Sequence, residues 1–326
     1  MIQYTIFGES HGPAIGVTLT GLPSGLVLNM EAVAAEMARR APGQDKTSTP
    51  RTEKDAVEIL SGLFEGRTTG TPLCAIIRNT DTRSKDYSKL KDLPRPSHAD
   101  YTASLRYGGC SDYRGGGHFS GRLTAPLVFA GAVAKQLLAQ RGIAVESRIS
   151  MLGGVADPTP EQIDRIILSA KADRDSVGGA VSCTVTGIPA GFGAPDIGEN
   201  AEGIVAKHLF AVPGVKGIEF GAGFGFASMR GSVANDPFCM TDGRVTTVTN
   251  HSGGINGGIT NGMPLCFRVA MRPTPSIARP QQTVSLSRGE AAELVIEGRH
   301  DPCIVKRALP VIEAAAALAV CELMNL

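Results

Sequence analysis

Tryptophan is absent from this sequence, and phenylalanine and tyrosine together supply only 5% of it, so large aromatic anchors cannot dominate its core. Forty glycines stand in their place and point to tight turns and close backbone approaches. Net charge is also nearly absent: 32 basic against 31 acidic side chains leave +1, which excludes a global field for DNA or an anionic membrane. Any anion site must therefore be a local cluster. The seven cysteines (Cys74, Cys110, Cys183, Cys239, Cys266, Cys303, Cys321) are odd in number and lack CxxC spacing, which argues against a disulfide framework or a zinc site. Most sit in apolar runs and read as buried thiols of a cytoplasmic protein. Long apolar runs are missing too. The stretches around residues 123–138 and 308–323 are interrupted by Lys135, Glu313 and Glu322, and MIQYTIFGESHG at the start lacks the features of a signal peptide.

What is present is enough for a well-buried core, with 326 residues of which 42% are apolar. The chain also resembles itself. TLTGLPSGL (18–26) matches TVTGIPAGF (184–192), and GRTTGTPLC (66–74) matches GITNGMPLC (258–266) in the same order. The helix-like APLVFAGAVAKQLL from Ala125 and LPVIEAAAALAVCEL from Leu309, each with proline second, form a third pair. The expectation is a single unit made of two related halves, about 1–150 and 151–326, packed with pseudo-twofold symmetry.

Local signals are mixed α and β. Met30, Val33, Ala34 and Met37 share one helical face that Pro42-Gly43 ends, and Thr159-Pro160-Glu161-Gln162 forms a capping box ahead of Ile163, Ile166 and Ile167. Strands are expected at 15–20, 72–78, 180–186 and 264–271, with connections too irregular for a βαβαβ series.

Several clusters carry chemistry. GESHG (8–12) presents Ser10 and His11 from a glycine-flanked loop, where an imidazole can titrate near neutrality. A hydrogen-bonded turn explains the same residues. In RPSHAD (95–100), a protonated His98 beside Arg95 is a reasonable donor to a leaving phosphate, with a satisfied surface histidine as the plain alternative. DYRGGGHFSGRLTAP (112–126) runs glycines into His118, Phe119, Ser120 and Arg122 at a helix start, a pattern that favours anions. It is not a Walker loop, and GAGFGF (221–226) is not a dinucleotide fingerprint. Arg39 and Arg40 suit a helix C-terminus, and together with Lys46 and Arg51 they equally suit a flexible cover over an anionic substrate. RVAMRPTPSI (268–277) sets a cation and two hydroxyls on a proline-stiffened turn, and GRHDPC (298–303) offers Arg299 and Asp301.

Taken together, GESHG, RPSHADYT, DYRGGG, VKGIEFGAGF, NHSGGINGG, RPTPSI and GRHDPC, with NTDTRSKDY (79–87), resemble the chorismate synthases over nearly the whole chain. That resemblance implies a β-α-β sandwich of the α+β type with internal pseudosymmetry, a homotetramer, and reduced FMN as an obligatory cofactor without net redox change. The implied reaction is a 1,4-anti elimination of phosphate from 5-enolpyruvylshikimate-3-phosphate. By motif matching, His11 lies near the reduced flavin, His98 protonates departing phosphate, and Asp301 takes part in removing the ring proton. Ser10, Arg40, Lys46, Arg122 and Arg299 would surround the substrate. His118, Phe119, Ser120, Gly257, Arg272, Pro273, Thr274, Pro275 and Ser276 would hold FMN, and no metal is implied.

The chain departs from the family pattern in places. Members commonly read GGGRSSARET where GGGHFSGRLT stands here, RRRPG where RRAPG stands, and KPTPS where RPTPS stands. The leading segment before GESHG is short, which implies a missing N-terminal contact. An external source of reduced flavin is expected, because no seat for NAD(P)H is recognisable. The competing reading is a non-catalytic relative that binds FMN or a phosphorylated metabolite.

Overall fold

In AIGVTLT, Ile15, Val17 and Leu19 point one way and are fully buried, the period-2 pattern of a strand with one face on a core. The same rule forms the strands of two antiparallel sheets in the computed structural model, which describes residues 1–43, 47, 55–80, 90–296 and 301–326. The first sheet holds β1 (Gln3–Gly8), β2 (Ala14–Thr20), β3 (Val57–Ser61) and β4 (Leu73–Arg78) in the order β1-β2-β4-β3. The second holds β5 (Ala144–Leu152), β6 (Gly179–Thr186), β7 (Val215–Phe220) and β8 (Leu265–Met271) in the order β7-β8-β6-β5, with the short strand Val155–Ala156 beside β5. All four strands expected from the sequence form within a residue of their expected limits.

Register places the apolar side chains face to face. Ile15 opposes Ile77, Val17 opposes Ala75 and Leu19 opposes Leu73 in the first sheet. In the second, Val181 opposes Val269, Cys183 opposes Phe267 and Val185 opposes Leu265. Between these inner faces lies a helix layer. Of the helices α1 (Met30–Arg40), α2 (Asp100–Arg106), α3 (Thr124–Ala139), α4 (Pro160–Ala172), α5 (Ala201–Phe210), α6 (Gly231–Ala234) and α7 (Val305–Leu323), α3 packs on the first sheet and on α7. Helix α7 packs on the second sheet, and α1 and α5 flank the pair. This is a β-α-β sandwich of the α+β class.

The middle layer is tight because its side chains are small. A Cβ on Gly131 of α3 would fall 2.2 Å from the Cβ of Ala314 on α7, so only glycine lets the two backbones cross there. The charges that interrupt both apolar helices neutralise each other. Lys135 reaches Glu313 at 2.5 Å and Glu36 at 2.9 Å, while Arg39 grips both Glu313 oxygens at 2.7 Å and Ser147 donates at 2.8 Å.

Some local expectations fail. Met30 and Ala34 are exposed, and the buried stripe of α1 is Val33, Met37 and Arg40. Helix α7 starts at Val305, four residues earlier than expected, leaving Pro310 inside it. Proline there lacks the N–H that would bond back one turn, and the packing of α7 against both neighbours outweighs that loss. Among the cysteines only Cys183, Cys303 and Cys321 are buried, and Cys110 is exposed. The Thr159 capping box is present in both directions, with Gln162 N–H donating to Thr159 Oγ1 and Thr159 N–H to Gln162 Oε1.

Candidate active site

The ends of β1, β4 and β8, the last residue of α1 and the starts of α3 and α7 meet at one end of the sandwich, and hydrogen bonds join them. The GESHG loop leaves β1 through Gly8, whose φ of +92° and contact with the Ala14 carbonyl oxygen leave no room for a Cβ. Asn79, just past β4, holds that loop by donating to the Glu9 and Gly12 carbonyl oxygens at 2.9 and 2.8 Å. Ser10 is fully buried, and its N–H donates to the Gly117 carbonyl oxygen at 3.1 Å.

Two of the three glycines before α3, Gly115 and Gly116, seat the two histidines, and Gly117 faces the Asp112 carbonyl oxygen. All three have positive φ. A Cβ on Gly115 would lie 2.1 Å from the Cε1 and Nδ1 atoms of His11, and one on Gly116 would lie 3.2 Å from Cε1 of His98. Any larger residue would displace an imidazole. Consecutive Cα atoms are about 3.8 Å apart, so both rings pack against one dipeptide.

The RPSHAD loop holds His98 through its neighbours. The Arg95 guanidinium grips Asp100 with Nε at 2.7 Å from Oδ2 and an Nη at 2.7 Å from Oδ1. His98 Nδ1 lies 2.7 Å from the same Oδ1. Burial works to raise the pKa of Asp100, but hydrogen bonds from Arg95 and His98 and their charges outweigh it and hold the carboxyl well below the usual range. Arg95 also donates to Ser276 Oγ at 3.2 Å, and Arg272 donates to the Ser97 carbonyl oxygen, so the turn after β8 is fastened to the loop bearing His98. His98, Arg95 and Tyr101 line a cleft of about 400 Å³ whose far wall is formed by Gln282, Thr283 and Val284.

A second cluster is built on a carboxylate that the sequence did not single out. Asp55 is fully buried, accepts a hydrogen bond from Arg122 and forms an ion pair with Arg40, whose Nε lies 3.1 Å from Oδ2. Arg122 also donates to Asn79 Oδ1 at 3.1 Å, which ties the cations to the GESHG loop. Arg40 is 2% exposed, so it is a fixed wall of the site and not part of a flexible cover. Asp301 pairs with Arg307, whose Nε donates to the Arg40 carbonyl oxygen at 2.9 Å. A continuous path of contacts thus runs from Asp301 through Arg307, Arg40, Asp55, Arg122 and Asn79 to the loop of His11.

The remaining expected residues divide. Ser120 accepts from Arg122 N–H at 3.3 Å and caps the turn that leads into α3. His118 Nδ1 is 2.9 Å from the Gly8 carbonyl oxygen, and the exposed Phe119 ring stands 6.1 Å from Tyr107. Gly257 does not join them: its hairpin, Ile255–Asn256 with Ile259–Thr260, packs on the start of α5 through the Gly258 carbonyl oxygen. Lys46 and Arg299, with Arg51 and most of NTDTRSKDY, lie outside the described residues. Sequence reasoning missed Asp55, Asn79 and Arg307, which contact the named residues across 40 or more positions in three of four pairings. The one signal available in the sequence was local: Asp55 closely follows Arg51 and Lys54.

Comparison with known proteins gives one answer. The family profile described as chorismate synthase matches residues 2–325. A chorismate synthase of Thermococcus kodakarensis is 46% identical over 340 aligned positions, covering 99% of this chain and 95% of that protein. One from Chitinophaga pinensis is 45% identical, covering 100% and 95%. A solved crystal structure of a chorismate synthase superposes with a TM-score of 0.76 at 26% identity, covering 99% of this chain and 91% of that one. With that extent of similarity, the chain belongs to the chorismate synthase family.

Proposed function

We propose that this chain catalyses the 1,4-anti elimination of phosphate from 5-enolpyruvylshikimate-3-phosphate to give chorismate, with reduced FMN as cofactor. It is a carbon–oxygen lyase acting on a phosphate, the last step of the shikimate pathway toward aromatic amino acids. The observation that carries the reading is the seating of His11 and His98 on the adjacent glycines 115 and 116, beside guanidiniums gathered on Asp55.

The chain's own residues supply binding, charge and protons. Arg40 and Arg122 offer fixed positive charge to the substrate's phosphate and carboxylates, and an interaction of this kind is stronger in a water-poor site than in solution. Ser10 Oγ is buried with no hydrogen-bond partner among the described residues, so it has donor capacity left for a substrate oxygen. His98 gives a proton to the leaving phosphate from Nε2, because Nδ1 is engaged with Asp100. Asp301 accepts the ring proton, with Arg307 holding its carboxylate in place.

The turn of residues 272–276 fits a cofactor phosphate: Thr274 Oγ1 is buried without a partner among the described residues, and prolines on either side fix it. Arg272 and Ser276 serve there by joining that turn to the His98 loop. His118, Phe119 and Ser120 complete the set that would hold FMN, and Gly257, packed against α5, is not part of it. When bound, reduced FMN supplies transient electron density to the substrate ring without net redox change. His11 would keep the proton balance of that cofactor.

The same reading makes the chain one unit of two related halves, supported by the matching strand orders β1-β2-β4-β3 and β5-β6-β8-β7. It acts as a homotetramer in the cytoplasm. Phe224, Phe238 and Met240, exposed on the segment between β7 and β8, support assembly, because an apolar surface of that kind is normally covered. No helix among the described residues is long and apolar enough to cross a membrane.

The test is anaerobic incubation with substrate and dithionite-reduced FMN, following chorismate absorbance. Turnover is expected with reduced flavin and none with oxidised flavin. Phosphate release without flavin overturns the cofactor assignment, and tight FMN binding without product favours the non-catalytic alternative.

A further inference from the structure

His98 Nδ1 stands 2.7 Å from Asp100 Oδ1 and 3.0 Å from an Arg95 guanidinium nitrogen. The ring nitrogen cannot donate to one and accept from the other at once. The same guanidinium nitrogen already donates to Asp100 Oδ1 at 2.7 Å, so the simplest arrangement has two donors converging on one carboxylate oxygen. Nδ1 then carries hydrogen, and Nε2 becomes the position that takes or gives a proton.

We infer that Asp100, clamped by Arg95, is the positioning residue of this site: it fixes the tautomer and ring angle of His98, and Arg95 relays that alignment to the turn of residues 272–276. This rests on the reading of His98 as proton donor to the leaving phosphate.

Four features support the inference. The Arg95–Asp100 pair is bidentate and nearly dry, with side-chain exposures of 5% and 8%, so it holds one geometry where a surface pair would fluctuate. Asp100 is a carboxylate across the working range, kept so by the hydrogen bonds from Arg95 and His98. The backbone of the loop is fixed separately, by prolines 94 and 96, by the bond from His98 N–H to the Arg95 carbonyl oxygen at 3.1 Å, and by Ser97 at φ +61°. Finally, Arg95 reaches Ser276 Oγ and Arg272 reaches the Ser97 carbonyl oxygen, so a ligand that moves the turn also moves the imidazole. An orienting carboxylate behind a catalytic imidazole works by the same logic in hydrolase triads, where it sets the tautomer without itself being protonated.

Among the described residues, the charged and titratable groups around His98 are Arg95 and Asp100 from its own RPSHAD segment, Tyr101 in α2, Arg272 behind Ser97, and His11 on the neighbouring glycine. Removing the Asp100 charge leaves Arg95 facing the ring and disfavours the imidazolium. The descending limb of the pH–rate profile therefore moves to lower pH in Asp100→Asn.

The experiment is a double-mutant cycle on the full enzyme with reduced FMN, using His98→Ala, Asp100→Asn and the double variant, with KM, FMN affinity and a pH–rate profile for each. General acid catalysis contributes roughly 10²–10⁴-fold, so His98→Ala should lose about 10²-fold or more in kcat. Asp100→Asn should lose about 10²-fold with KM and FMN affinity within a factor of three, and the double variant should be no slower than His98→Ala. Losses that multiply in the double variant, or an unmoved pH profile, overturn the inference by making Asp100 a structural residue. Full turnover in His98→Ala overturns the proton-donor reading itself, whereas a slow His98→Ala beside a fast Asp100→Asn overturns the inference alone. Should Asp100→Asn fold poorly, Arg95→Lys serves in its place: it keeps the charge and loses the fork, and the same loss in kcat with the same non-additivity against His98→Ala is expected. Additive losses there count against the inference equally.

Discussion

Arg39 and Arg40 are adjacent in sequence and near the same helix end, yet they serve different parts of the molecule. Arg39 spans from α1 to Glu313 in the middle of α7, within a group where Lys135, Glu36 and Ser147 also take part. Arg40 turns away from that group and meets Asp55, fully buried, at the end of the sandwich that holds the candidate site. The approximately 100° step between neighbours on a helix is the whole difference. One arginine staples helices in the middle layer, and the other supplies charge to the site.

The largest expected effect comes from removing the site arginine. Arg40→Ala should cut kcat/KM by about 10²–10³-fold, the loss typical of a removed electrostatic stabiliser. Taking one partner from a buried ion pair should also cost about 3 kcal/mol of stability. Steady-state kinetics and urea unfolding check both. Glu313→Gln should cost a similar or smaller amount, about 2–3 kcal/mol, with kcat/KM unchanged within a factor of two. An activity loss like that of Arg40→Ala would break the division between the two clusters.

Arg39→Ala comes next, at about 1 kcal/mol or less, because Arg39 is partly exposed and Lys135 still pairs with Glu313. The smallest effects are those of pH. Burial raises the pKa of Glu313, but hydrogen bonds from Arg39, Lys135 and Ser147 offset it and leave a net lowering. Its contribution is therefore present above about pH 4.5, the unfolded value, and is lost as pH falls through the folded one. Glu313→Gln should flatten the acid side of a plot of Tm against pH. His208 behaves oppositely in origin: burial lowers its pKa more than the Glu322 contact raises it. Stability from that source declines as pH falls below about 6.5, where the unfolded chain takes up the proton first, and His208→Gln should remove this slope.

Much of the fold could be read from local pattern. Alternation located β2, β4, β6 and β8, and the Thr159 box located α4, because both depend on residues a few positions apart. The candidate residues stood out as motifs, and the structure brings His11, His98, Arg40, Arg122 and the turn of residues 272–276 to one end of the sandwich. What joins them was not legible. Asp55 serves Arg122 from 67 residues away and Arg307 reaches Arg40 across 267, and no spacing rule encodes such pairings. The start of α7 was misplaced for a related reason: Pro310 reads locally as a helix start, and only tertiary packing carries the helix through it. Arg39 and Arg40 could not be told apart without knowing which neighbour each helix face would meet.

The central claim is that one site brings fixed guanidiniums and the Nε2 atom of His98 to the same substrate. A crystal structure with oxidised FMN and 5-enolpyruvylshikimate-3-phosphate tests it most directly. The account predicts a phosphate oxygen within about 3 Å of His98 Nε2, with Arg40 or Arg122 on the same substrate. A substrate bound with its phosphate away from His98, or with both arginines turned from it, would contradict the account.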